Sequence, residues 1–147
     1  MAIKKISLME AYMLETIRSN GVSNKEILTQ IEQRNVSQWK ALNANFDFND
    51  LVKLANQNKD AFKSIVLNGY EVKFVTFKGV QRLLQLKFNK VEEQDYRLID
   101  KGIAGLRLDA SQLFKLKQML SQNWVVHEKP SKDSDYLSKE IRIELVY

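Results

Sequence analysis

The side chains that could carry out catalysis in this chain are few and isolated. His127 is the only histidine, and no cysteine or second histidine is available to share a metal ion or a proton with it. The acid pairs Glu92, Glu93 and Asp133, Asp135 lie in polar stretches typical of solvated loops. The lack of cysteine excludes a thiol nucleophile, a zinc ribbon and a disulfide framework. No glycine-rich phosphate loop is present. We therefore predict a protein that is not an enzyme, with no catalytic residue, metal site or cofactor.

The charge pattern indicates binding of a polyanion instead. The chain of 147 residues has a net charge of +5, and the excess is concentrated in residues 70–123, which hold 10 basic and 6 acidic side chains. Residues 72–91 contain no acid and five cations: Lys73, Lys78, Arg82, Lys87 and Lys90. A local positive field of this kind favours nucleic acid. An ordinary solvated face rich in lysine is the alternative explanation.

The first half of the chain has the pattern of helices. Ser7 with Glu10, and Ser23 with Glu26, have the spacing of capping boxes, and apolar residues follow each pair at helical intervals. Two further helices are predicted to start near Asp47 and Asp60, and Asn68-Gly69 is a natural end. Residues 1–69 are therefore predicted to form a helical unit.

From Tyr70 onward the sequence alternates between apolar and polar residues, which is typical of strands, and Lys78-Gly79 is predicted to turn a hairpin. The predicted elements are strands over 70–77, 80–89, 96–99 and 102–109, a helix over 111–122, and strands over 124–128 and 141–147. The predicted fold class is α+β. A helical N-terminal unit is followed by a curved antiparallel sheet and helix (β-β-β-β-α) over 70–123, and by C-terminal strands over 124–147 that share one core with the rest.

Two stretches in this region resemble a known family. Val75-Thr-Phe-Lys-Gly79 is similar to an aromatic–basic–glycine turn, and the stretch from Gly105 to Leu120 is similar to a glycine-containing strand end that runs directly into a helix. Both resemble the single-stranded-DNA-binding domain of the transcriptional positive cofactor 4 and whirly-type proteins. The resemblance implies a homodimer with helix 111–122 at its interface. The family's lysine before the glycine is Ala104 here, so Lys101 or Arg107 is the candidate for that role.

The predicted function is therefore non-enzymatic binding of single-stranded nucleic acid, with DNA favoured over RNA, as a transcription or replication accessory factor. Flat side chains stack on bases while cations bind phosphates. Phe77 and Phe88 are the stacking candidates, although both could instead fill the core. The full predicted site comprises Lys73, Phe77, Lys78, Arg82, Lys87, Phe88, Lys90, Lys101 and Arg107.

Two other functions remain open. One is a small adaptor or inhibitor that binds another protein and adds the terminal strand 139–147 to the edge of its partner's sheet. The other is a helix-turn-helix duplex-DNA regulator over residues 24–43, with Trp39, Lys40 and Asn43 facing DNA. Because no apolar run approaches a membrane span, we expect a cytoplasmic protein with no membrane partner.

Overall fold

The computed structural model describes residues 4–43, 45–129 and 138–146. This part of the chain contains six α-helices and six strands, with one short 3-10 helix at Ser37–Trp39. The helices are α1 (Leu8–Ser19), α2 (Asn24–Glu32), α3 (Asn49–Gln57), α4 (Lys59–Asn68), α5 (Phe77–Phe88) and α6 (Ala110–Met119). The strands are β1 (Lys5–Ile6), β2 (Glu71–Val72), β3 (Arg97–Ile99), β4 (Gly102–Asp109), β5 (Trp124–Glu128) and β6 (Ser138–Leu145). The predicted α+β class is confirmed.

Side-chain caps begin the first helices, as the sequence indicates. The Ser7 hydroxyl accepts from the Glu10 amide, and the Glu10 carboxylate accepts from the Ser7 amide, which is a complete capping box. Ser23 caps α2 through the Glu26 amide. The cap of α4 is Asn58 rather than Asp60, and α4 ends where Gly69 adopts a φ of +96°.

The predicted hairpin at Lys78-Gly79 is wrong, because residues 77–88 form α5 instead of two strands. The Thr76 hydroxyl accepts from the Gly79 amide at 3.0 Å and so caps the helix. The buried residues Val80, Leu83, Leu84 and Phe88 lie at helical spacing. Consequently the β-β-β-β-α order predicted over 70–123 is replaced by a two-residue strand, a helix, a hairpin and a helix.

Gly79 allows close packing rather than a turn. A Cβ atom at this position would lie 2.9 Å from a methyl group of Leu8, and the glycine is the third residue of α5. Its small size therefore lets α5 lie tightly against the start of α1.

The four-stranded antiparallel sheet has the order β3-β4-β6-β5. The predicted hairpin through Asp100-Lys101 is confirmed, since β3 pairs with β4 from Ile99↔Gly102 to Arg97↔Ala104. The terminal strand is not an edge strand: β6 pairs with β4 on one side and β5 on the other. The proposed addition of residues 139–147 to a partner's sheet is therefore wrong for the described part of that strand.

One hydrophobic cluster runs from Ile6 to Ile143 and draws on the helices and on one face of the sheet. Helix α5 packs along α1, and α6 packs on β4. The helical part of the molecule thus extends beyond residue 69 and includes α5.

The predicted recognition helix over 37–43 is also wrong. Only the 3-10 helix Ser37–Trp39 forms there, and Trp39 is 3% exposed. Its ring packs edge-on against Phe48, with 6.1 Å between ring centroids. A buried tryptophan closes the helical core at this point and cannot face DNA.

Candidate nucleic-acid interface

The exposed side of α5 carries two of the five cations in residues 72–91. Lys78 and Arg82 are exposed and lie one turn apart, and Gln81 and Gln85 share the same stripe of the helix. No acidic residue occurs in α5. The stripe of Lys78, Gln81, Arg82 and Gln85 is called the outer face below.

These cations lack carboxylate partners among the described residues, whereas some lysines elsewhere on the surface have one. Among the described residues, Lys5, Lys117, Lys129 and Lys139 each form an ion pair with a glutamate. Within the same part of the chain, none of the ion pairs involves Lys73, Lys78 or Arg82. Their charges are therefore available to an external anion.

Arg82 is held by aromatic rings rather than by a carboxylate. Its guanidinium lies 4.6 Å from the centroid of the Tyr12 ring and 5.4 Å from that of Phe46. Cation–π contacts of this kind orient the planar group and leave its N–H donors at the surface.

The segment before α5 presents an exposed aromatic ring. The Val75 amide donates to the Ser121 hydroxyl at 2.9 Å, and the Val75 carbonyl accepts from the Trp124 indole at 2.7 Å. The Lys73 amide donates to the Ile6 carbonyl at 2.8 Å. Between these two anchors, Phe74 is 61% exposed and Lys73 is exposed. A fixed backbone therefore holds a phenylalanine in solvent beside a cation.

The two predicted stacking residues have packing roles instead. The Phe77 ring is half-buried and meets Trp124 edge-on, with 5.9 Å between centroids. Phe88 is 9% exposed and belongs to the core. Because Phe77 and Phe88 are eleven residues apart, about three turns of α5, both lie on the packed side of the helix, whereas Arg82 is exposed.

Lys87 is likewise turned inward. Its Nζ atom donates to Glu15 Oε2 at 2.7 Å. Lys90 is half-buried beyond the end of α5, Lys101 is exposed at the β3–β4 turn, and Arg107 is exposed on β4. Of the nine predicted residues, Lys78 and Arg82 lie on the outer face of α5, and Lys73 is exposed in the segment just before this helix. These three residues and Phe74 are called the α5 region below.

A buried charge cluster fixes the inner face of α5. Glu15 on α1 is 1% exposed, and its Oε2 atom accepts from Lys87, from Arg18 Nη1 at 3.0 Å and from the Tyr70 hydroxyl. Arg18 Nη2 also donates to the Val66 carbonyl at 2.7 Å. This cluster links α1, α4 and α5, and it therefore sets the orientation in which α5 presents its outer face.

The cluster shifts the pKa of each of its buried members. Burial opposes ionisation of Glu15, but the charges of Lys87 and Arg18 and the hydrogen bonds outweigh it and lower the pKa of the carboxyl. Burial and the Glu15 charge raise the pKa of Tyr70 well above its usual value. Burial lowers the pKa of Lys87, the Glu15 charge opposes that effect, and the Arg18 and Lys115 charges add to it.

The described residues contain no cluster of side chains that could hold a metal ion. No three of their histidine, aspartate or glutamate side chains lie together as metal ligands. His127 is exposed on β5, opposite Arg142 of β6. Asp133 and Asp135 lie outside the described residues.

Comparisons with protein-family models, with curated proteins and with solved structures found no significant match. The resemblance to the positive cofactor 4 and whirly-type domain stays a prediction. Within the described ranges, no helix has the length and apolar composition needed to cross a membrane.

Proposed function

We propose that this chain binds single-stranded nucleic acid through the outer face of α5 and the adjoining Lys73 and Phe74. The observation that supports the proposal most is the grouping of three exposed cations, Lys73, Lys78 and Arg82, in residues 72–91, which contain no acid. None of the three forms an ion pair within the described part of the chain. Elsewhere on the described surface, Lys117 and Lys139 pair with Glu128, whereas Lys25 and Lys59 are exposed and form no ion pair with a described residue. A phosphate backbone is the ligand that unpaired cations at this spacing favour.

Each group of the interface has a distinct role in the proposal. Lys73, Lys78 and Arg82 neutralise phosphates, and release of counterions makes binding sensitive to salt. Phe74 stacks on one base, which contributes roughly 1–3 kcal/mol. Gln81 and Gln85 donate and accept hydrogen bonds at base edges or sugars. The exposed aromatic ring favours unstacked single strands over a duplex, whose bases are already stacked.

A competition experiment tests the proposal. A labelled thymidine oligonucleotide of about 20 nucleotides is longer than the ~4–16 nucleotides that a single-strand-binding domain covers. Its anisotropy is measured against increasing protein, with unlabelled single-stranded DNA, duplex DNA and RNA as competitors. We expect single strands to compete better than duplex DNA. The double variant Lys78→Gln/Arg82→Gln should bind more weakly, with only a small fall in melting temperature from loss of the Arg82 contacts with Tyr12 and Phe46.

A matched control removes the same charge from elsewhere. Lys25→Gln/Lys53→Gln neutralises two exposed lysines on α2 and α3. If this control weakens binding as much as the α5 variant, the interaction depends on net charge alone and the proposed site is wrong. If the native protein binds no oligonucleotide at low salt, the proposed nucleic-acid-binding function is wrong. Recovery of a stoichiometric, nuclease-resistant protein partner from the native host would then favour the adaptor hypothesis.

A further inference from the structure

A cavity of about 470 Å³ lies behind α5, on the side opposite the outer face. Its walls come from α1, α4, α5 and α6, and the buried Glu15 and Tyr70 line it. The volume falls within the range of roughly 300–1,000 Å³ that small-molecule sites occupy. Lys87 and Phe88, which the sequence analysis assigned to nucleic acid, line this cavity instead.

The cavity carries more positive than negative charge. Arg18, Lys87 and Lys115 line it together with one carboxylate, that of Glu15. The Glu15 charge is already shared between Lys87 and Arg18, at 2.7 Å and 3.0 Å. Lys115 is exposed and forms no ion pair with any described residue. Its positive charge also disfavours the protonated form of Lys87. An anion bound between the two lysines would relieve this repulsion.

Two large apolar side chains line the cavity and are exposed. Phe114 on α6 is 68% exposed and Leu67 on α4 is 49% exposed. Four amide side chains also line it: Asn24, Asn68, Gln112 and Gln118. Apolar walls with a few polar groups that fix orientation are typical of a site for an organic molecule.

We propose that this cavity binds a small organic anion, whose acidic group contacts Lys87 and Lys115 and whose flat apolar body lies against Phe114 and Leu67. The shared chemistry is a carboxylate, sulfonate or phosphate on an aromatic or apolar frame. The site is separate from the nucleic-acid interface, because α5 contributes its inner face here and its outer face there.

The probe 8-anilinonaphthalene-1-sulfonate has this chemistry and becomes fluorescent in an apolar site. Titration into the folded full-length chain should show saturable binding of one molecule per chain. Lys115→Gln should weaken binding about tenfold, the effect of losing one charged contact worth ~1.4 kcal/mol. Phe114→Ala should weaken it by a similar factor. Both side chains are exposed, so neither substitution should affect folding.

The controls come from the same helix and from the other site. Lys117→Gln removes a lysine on α6 that pairs with Glu128 at 2.6 Å and does not line the cavity. Phe74→Ala removes a phenylalanine of similar exposure from the segment before α5, outside the cavity. Both should leave probe binding unchanged, as should an excess of the thymidine oligonucleotide.

Four outcomes would contradict the proposal. One is the absence of saturable binding to the native chain. Another is an equal loss of binding in Lys115→Gln and Lys117→Gln, which would place the probe elsewhere. The third is equally tight binding of N-phenyl-1-naphthylamine, the neutral analogue, which would mean that the cations of the cavity do not contribute to binding. Displacement of the probe by the oligonucleotide would make the cavity part of the nucleic-acid site and contradict their separation.

Discussion

At the residue scale, two phenylalanines three positions apart have opposite surroundings. Phe74 is 61% exposed, whereas Phe77 is half-buried against Trp124. We predict that Phe74→Ala weakens oligonucleotide binding by ~1–3 kcal/mol and leaves the salt dependence unchanged, since it removes stacking and no charge. The melting temperature should not change. Parallel anisotropy titrations and thermal melts measure both quantities.

Phe77→Ala is the matched comparison and should affect folding first. Truncation should cost less than the ~3–5 kcal/mol of a fully buried phenylalanine, because the Phe77 ring is only partly covered. Phe77→Ala could keep its stability and lose oligonucleotide binding while Phe74→Ala still binds. Phe77 would then be the stacking residue, and the proposed interface would be wrong.

Glu15 gives a second prediction at this scale. Glu15→Gln removes the only carboxylate within the described residues that pairs with Lys87 and Arg18. Breaking a buried pair costs ~3–5 kcal/mol, and the lower end applies here because both cations retain some contact with water. Urea unfolding at neutral pH measures the difference. A loss below about 0.5 kcal/mol, the size of an ordinary surface substitution, would contradict the structural role of the cluster.

The same carboxylate predicts a pH dependence. The pKa of Glu15 is lower in the folded chain than its ordinary value of 4.5. A depressed carboxyl pKa stabilises the fold above that ordinary value, and the contribution is lost as the pH falls through the folded-state pKa. Between about pH 5 and pH 3, the native protein should therefore lose stability more steeply than Glu15→Gln. Glu128→Gln, at an exposed ion pair, is the control whose acid slope should stay closer to that of the native protein.

At the element scale, the orientation of α5 depends on its first turn. The Thr76 hydroxyl accepts from the Gly79 amide at 3.0 Å. We predict that Thr76→Ala destabilises the chain by ~1 kcal/mol through loss of this cap, and that Thr76→Ser restores most of it. Helical content from circular dichroism and the free energy of unfolding measure the effect. Equal stability of the alanine and serine variants would contradict a capping role.

Much of the fold could be predicted from local pattern. Capping pairs such as Ser7 with Glu10, and the turn at Asp100-Lys101, act over a few residues, so a single sequence displays them. The strand prediction for residues 77–88 was wrong because the apolar residues of this segment fit both the alternating pattern of a strand and the spacing of a helix. The adjacent Leu83 and Leu84 cannot both face the core of a strand, although they can in a helix. That pair and the shortage of β-branched residues were the signals for α5.

The site was only partly predictable, for a related reason. The basic composition of residues 72–91 was visible in the sequence, but which side each cation faces depends on the element type. Lys87 lies on the inner face because Glu15, 72 residues earlier in the chain, is buried opposite it. No local pattern encodes such a contact. Exposure of Phe74 likewise depends on Ser121 and Trp124, which fix the neighbouring Val75 backbone.

At the scale of the whole molecule, α5 separates two environments. Its outer face offers unpaired cations to the solvent, and its inner face joins the buried cluster and the cavity. One hydrophobic cluster connects the helices with the sheet. The orientation of α5 is therefore set by the packing of the whole molecule, although the proposed contacts with nucleic acid involve only a small part of the chain.

This arrangement predicts where the salt dependence of binding originates. The triple variant Lys73→Gln/Lys78→Gln/Arg82→Gln removes the three unpaired cations of the interface. Each phosphate contact on a single strand contributes ~0.7 to the slope of log affinity against log salt, so the slope should fall by ~2. Anisotropy titrations of the thymidine oligonucleotide over a series of salt concentrations measure that slope.

The control variant Lys25→Gln/Lys53→Gln/Lys59→Gln removes the same charge from exposed positions on α2, α3 and α4. Screening limits the influence of distant charges to about 10 Å at 0.1 M salt, so this variant should lower affinity slightly at low salt and leave the slope nearly unchanged. A slope that falls equally in both variants would mean that the oligonucleotide samples the whole basic surface. A slope that falls only in the first variant means that the lost phosphate contacts are those of the α5 region.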